Sequence, residues 1–119
     1  VTAREACDFI LDNDPRPFFA MVDMSLPHPC YHTFSTMPAA SLNLADIPAP
    51  PVGKLESMPF VEQALRRSKN LEALTDDDRR TVLRAYWSMC EFADRQVEKI
   101  LLALDASGKA DNTLVIYTA

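Results

Sequence analysis

The sequence predicts an α/β fold, a predominantly parallel sheet flanked by helices. Three observations carry that expectation. Residues 17–25 and 113–118 are two apolar runs of strand length, the second being Thr113-Leu114-Val115-Ile116-Tyr117-Thr118. Near-continuous apolar and β-branched runs belong to strands covered on both faces, as in parallel sheets. A long amphipathic pattern over residues 75–106 lies between the runs, and a helical crossover of that kind joins parallel strands.

The elements follow in order. Residues 2–11 place Ala3, Ala6, Cys7, Ile10 and Leu11 at helical spacing, and Asn13-Asp14-Pro15 breaks the pattern. The run at residues 17–25 reads as a buried strand, in which Asp23 would need a partner. From Leu26 to Lys54, prolines at 27, 29, 38, 48, 50 and 51 remove donors and fix φ. Neither a long helix nor a central strand can form there, and irregular excursions of such length are usually functional. Residues 59–68 form a short helix with Pro59 in its first turn and Phe60, Ala64 and Leu65 on one apolar edge. Thr75 and Asp78 sit at capping-box spacing ahead of the long helix. Its apolar face is expected at Val82, Tyr86, Cys90, Ala93, Val97, Ile100, Leu101 and Leu104, with Gly108 as the stop. The abrupt opening at Val1 and the run that reaches Ala119 read together as an internal segment of a larger α/β protein.

Composition narrows the function. A net charge of −5 and a pI of about 4.9 offer no basic surface to nucleic acid or anionic lipid. No apolar run approaches the ~20 residues of a membrane span. The 119 residues are 48% apolar, enough for a small core or a slice of a larger domain. Cys7, Cys30 and Cys90 are odd in number and lack a C-x-x-C pair, which fits neither a zinc site nor a disulfide framework. Gly53 and Gly108 are the only glycines, so there is no phosphate-cradling loop.

The only histidines, His28 and His32, lie just beyond the first strand-like run. Imidazole can bind an oxyanion, donate a proton or ligate a metal near neutral pH; a hydrogen-bonded structural role is the alternative. Asp76, Asp77 and Asp78 are consecutive at a helix start, point in different directions and serve better as caps than as a cation cage. Arg66-Arg67 and Arg79-Arg80 read as solvated helix faces, and Trp87 beside Tyr86 as packing residues.

Taken in order, three stretches resemble the sulfatase family of the alkaline-phosphatase superfamily. They are Arg16-Pro17-Phe18-Phe19 leading to Pro27-His28-Pro29; the long helix with Tyr86, Phe92-Ala93-Asp94-Arg95-Gln96-Val97 and Ile100-Leu101; and Leu104-Asp105-Ala106-Ser107-Gly108 closing on Asp111-Asn112-Thr113 and the last run. The resemblance covers nearly the whole chain and implies that residues 1–119 are part of a sulfatase-type catalytic domain, alkaline-phosphatase-like in fold, from an enzyme that hydrolyses small-molecule or carbohydrate sulfate esters. It also implies that His28 contacts the sulfate group. Cys30 stands where the family often has a second proline, and Glu98 where it often has glycine. The resemblance further implies a calcium ion and a formylglycine made from Cys or Ser in a Cys/Ser-x-Pro-x-Arg motif. Neither the metal-binding segments nor that motif is present, and no cysteine here can be the modified nucleophile. Two other readings stay open: a phosphodiesterase or phosphonate monoester hydrolase of the same superfamily, and a non-catalytic α/β interaction domain with His28 structural.

Overall fold

The computed structural model describes residues 2–12 and 14–118; Asn13, part of the break after the first helix, lies outside them. Among the described residues three α-helices carry the structure: α1 (Thr2–Leu11), α2 (Phe60–Ser68) and α3 (Asp76–Ala106). Short 3₁₀ turns occupy Pro38–Ser41, Leu44–Asp46, Leu55–Ser57, Leu71–Ala73 and Ala110–Asn112. The chain divides into two compact units, Val1–His28 with Cys90–Ala119, and Pro29–Met89.

Local chemistry sets the helix ends. At the start of α3 the Asp78 N–H donates to Thr75 Oγ1 (3.1 Å), and the Thr75 N–H donates back to Asp78 Oδ2 (2.8 Å). This is the capping box expected from the sequence, with Asp in place of Glu. Asp76 and Asp77 pair with Arg79 and Arg80 one turn on, at 3.0 and 2.9 Å, and lie where the helix dipole favours negative charge. The hydroxyl and amide of Thr75 hold the Asp78 carboxyl below the usual aspartate range, with a smaller contribution from Arg79. Because the folded value is depressed, this stabilisation is present above the ordinary aspartate pKa and is lost as pH falls through the folded value. Melting curves taken from neutral pH into the acid range should therefore show a shallower acid loss for Asp78→Ala than for the wild type. Parallel curves would remove Asp78 from the linkage.

At the other end, Gly108 has φ +70°, the left-handed geometry that closes a helix with least strain in glycine. Its N–H reaches Asp105 O at 3.1 Å. The close of α2 uses Asn70 in the same region, φ 51°, a residue whose short polar side chain tolerates it.

In the first unit, Ile10 of α1 packs with Ala103 and Leu104 of α3, joined by Cys7, Ile100 and Ala110. In the second unit the Pro-rich segment stays irregular, as its prolines dictate, and is held to α3 by side chains of that helix. The Phe34 N–H donates to Ser88 Oγ (2.9 Å), which donates back to Phe34 O (3.2 Å). The His32 N–H donates to Met89 Sδ at 3.3 Å. Arg80 Nε reaches Ile47 O at 3.0 Å and Arg84 Nη1 reaches Leu42 O at 3.2 Å. Ser88 and Met89 are fully buried, and Met37 and Ile47 are buried with them.

The structure corrects the expected α/β class. Among the described residues there is no strand and no sheet; the chain is helices, 3₁₀ turns and irregular segments. Residues 17–25 and 113–118 are neither helical nor paired. Phe19 is 89% exposed and Leu114 is 85% exposed, so neither run is the buried strand expected, and Asp23 is exposed as well. The reason is physical: apolar, β-branched composition suits a residue to a pleated surface, but a strand exists only in a ladder with a neighbour. Neither segment takes part in a ladder among the described residues.

Two helix faces also differ from expectation. The buried residues of α3 are Ala85, Ser88, Met89, Ala103 and Leu104, whereas Val82, Tyr86 and Leu101 are exposed. Over residues 82–89 the covered stripe is rotated by about one residue, or roughly 100° of helix, whereas further along Leu104 is buried as expected, Ile100 packs against it, and Cys90, Ala93 and Val97 are half-buried. On α2, Phe60, Ala64 and Leu65 are exposed, and the residue turned inward is Arg66, 7% exposed. Its guanidinium meets Glu72 Oε1 at 2.6 Å and donates to Gly53 O at 3.3 Å and Met58 Sδ at 2.8 Å. A buried charge needs such a set of partners, and together they fasten the end of the Pro-rich segment to α2. Arg66 is thus no solvated residue.

Candidate active site

His28 is the residue to which the resemblance assigns chemistry. The segment leading to it is laid along α1: Phe9 and Phe18 meet edge to face, ring centroids 5.7 Å apart. An open groove of about 360 Å³ lies between Glu5, Ala6 and Phe9 of α1 and Phe19 to Val22. A turn at Leu26-Pro27 follows, and the His28 N–H donates to Ser25 O at 2.9 Å. The His28 side chain is exposed at this turn. Imidazole is a side chain that can bind an anion through a ring N–H.

His32 belongs to the second unit, where its backbone N–H is anchored by Met89 and its side chain is exposed. That unit has an open apolar groove of about 340 Å³ lined by Tyr31, Pro50, Leu74, Arg79, Val82, Leu83 and Tyr86, with Tyr31 and Tyr86 edge to face at 6.0 Å. Neither histidine lines either groove.

The residues present do not fit the calcium ion or the formylglycine. Among the described residues no group of three or more His, Cys, Asp or Glu side chains could hold a metal ion. The carboxylates of Asp76, Asp77 and Asp78 are engaged with Arg79, Arg80 and Thr75. Cys7 is half-buried, its thiol donating to Lys99 O at 3.5 Å, and none of the three cysteines stands in a Cys-x-Pro-x-Arg sequence. Of the residues singled out in the sequence, the structure presents His28 at an exposed turn and assigns Asp76–Asp78 to capping and local ion pairs. Composition gave no sign of Ser88 and Met89 as anchors of the Pro-rich segment; their spacing from Ala85 on one helical face was the available signal.

The chain belongs to the sulfatase family, whose profile, described as Sulfatase, matches residues 1–119. Among curated proteins it is similar to Arylsulfatase K of Xenopus laevis, 28% identical over 120 residues that cover 90% of this chain and 22% of that protein. The chain thus spans about a fifth of the length of the relative it matches. No solved structure matches.

Proposed function

We propose that this chain is part of the catalytic domain of an enzyme that hydrolyses sulfate esters, and that His28 is its substrate contact. The observation that carries the reading is the family match across the whole chain, joined to an exposed imidazole at the turn closing the segment over α1. As the ester S–O bond breaks, negative charge grows on the sulfate and leaving-group oxygens. A ring N–H of His28 donating to one of them stabilises that charge more in the transition state than in the ground state. By family, calcium would polarise the sulfate and formylglycine would supply the nucleophile; the residues of this chain do not fit either, so these would come from elsewhere in the enzyme. The substrate class is a small-molecule or carbohydrate sulfate ester. No observation favours a phosphodiesterase, a phosphonate hydrolase or a non-catalytic domain.

The 119-residue chain alone should show no turnover of 4-nitrophenyl sulfate and no calcium binding by calorimetry, whereas the full-length enzyme carrying it should hydrolyse the ester. Turnover by the purified chain, surviving repeated chromatography, would place the chemistry within these residues and defeat this division of labour.

A further inference from the structure

We infer that Lys109 is a positioning residue for His28, a role that rests on the reading of His28 as the substrate contact. Helix α1 ends with unpaired carbonyls and the negative end of its dipole, yet its last turn contains no basic residue. Lys109, nearly a hundred residues away in sequence, supplies the missing cation. Its Nζ donates to Ile10 O at 2.9 Å and to Asp12 O at 2.7 Å. The same ammonium lies 5.8 Å from the centroid of the Phe18 ring, which it faces as a cation–π partner.

The Lys109 backbone is itself fixed on both sides. Its N–H donates to Ser107 Oγ at 3.2 Å, and its carbonyl accepts from Thr113 Oγ1 at 2.7 Å. One side chain therefore joins three elements of the first unit: the end of α1, the turn that follows α3, and the start of the segment that leads to His28. Phe18, near the start of that segment, is held from two directions, by Phe9 and by Lys109. Beyond it the chain runs on to the Ser25–His28 turn through mostly exposed residues. The path of the segment thus starts from Phe18, follows α1 through Phe19 to Val22 and ends at the turn closed by the His28 N–H on Ser25 O, so that a displacement at Phe18 shifts the segment that bears the imidazole. A shift of about 1 Å in a substrate contact can lower rate by as much as 10²-fold.

The test is kinetic, in the full-length enzyme with 4-nitrophenyl sulfate. Lys109→Met keeps the length of the side chain and removes the ammonium; Lys109→Arg keeps a cation able to serve two carbonyls and the Phe18 face. The expected result is a fall in kcat of about tenfold or more for Lys109→Met, with KM changed far less, and recovery of most of the rate in Lys109→Arg. Rates are referred to folded enzyme, quantified by the native melting transition. Phe18→Leu, which retains an apolar side chain but no ring, should lower kcat in the same direction and serves if Lys109→Met does not accumulate. Wild-type kcat in folded Lys109→Met, or in folded Phe18→Leu, would overturn the inference while leaving His28 in its role. Wild-type kcat in His28→Ala would overturn both.

Discussion

Replacing His28 with alanine in the full-length enzyme should lower kcat/KM for 4-nitrophenyl sulfate by roughly 10²-fold, about 3 kcal/mol of transition-state stabilisation, with the melting temperature unchanged. The side chain is exposed at a turn, so its removal opens no cavity, and the melting temperature measured alongside separates chemistry from folding. If the imidazole acts on charge that develops during the reaction, most of the effect falls on kcat. His32→Ala is the matched control: the backbone N–H, not the ring, makes the contact with Met89, so the substitution preserves that anchor. It should change kcat/KM far less. Equal, small effects from the two substitutions would reduce both histidines to loop residues.

The largest effect on stability is expected at Met89. It is fully buried, and its sulfur accepts the His32 N–H. Met89→Ala deletes a buried side chain and leaves a void, a change that costs about 2–5 kcal/mol. Met89→Leu nearly conserves volume and should cost less than Met89→Ala, the remaining cost being the His32 N–H that loses its sulfur acceptor. Met21→Ala is the exposed comparison, at a residue 83% accessible, and should stay within about 0.5 kcal/mol of the wild type. Denaturant melts of the three variants check the order; similar midpoints for Met89→Ala and Met21→Ala would refute the burial of Met89.

What the sequence made legible was local. The Thr75–Asp78 capping box, the stop at Gly108 and the bounds of α2 each depend on residues within one turn of one another, so spacing alone reveals them. What it concealed depends on distant partners. Arg66 looked solvated because its burial is stabilised by Glu72, Gly53 and Met58, a set that no periodicity announces. On α3 the sequence offers two adjacent stripes of suitable residues. The one that is covered over residues 82–89 includes Ser88, which hydropathy counts as polar but which the Phe34 backbone requires. The strand-like runs failed for the same reason: composition describes what residues 17–25 and 113–118 could pair with, and pairing needs a neighbour; neither run takes part in a ladder among the described residues. His28 was visible as one of two histidines after an apolar run, and the resemblance chose between them. Lys109 carried no signal, since only the folded chain brings it to the end of α1.

Whether this chain serves sulfate-ester hydrolysis is read from the full-length enzyme's substrate preference. Its kcat/KM should be measured under identical conditions for 4-nitrophenyl sulfate, bis(4-nitrophenyl) phosphate and 4-nitrophenyl phenylphosphonate, which share a leaving group and differ at the transferred centre. The sulfate should be the best of the three, and His28→Ala should lower its turnover. A preference for the phosphate diester or the phosphonate, or turnover of the sulfate unaffected by His28→Ala, would contradict that reading.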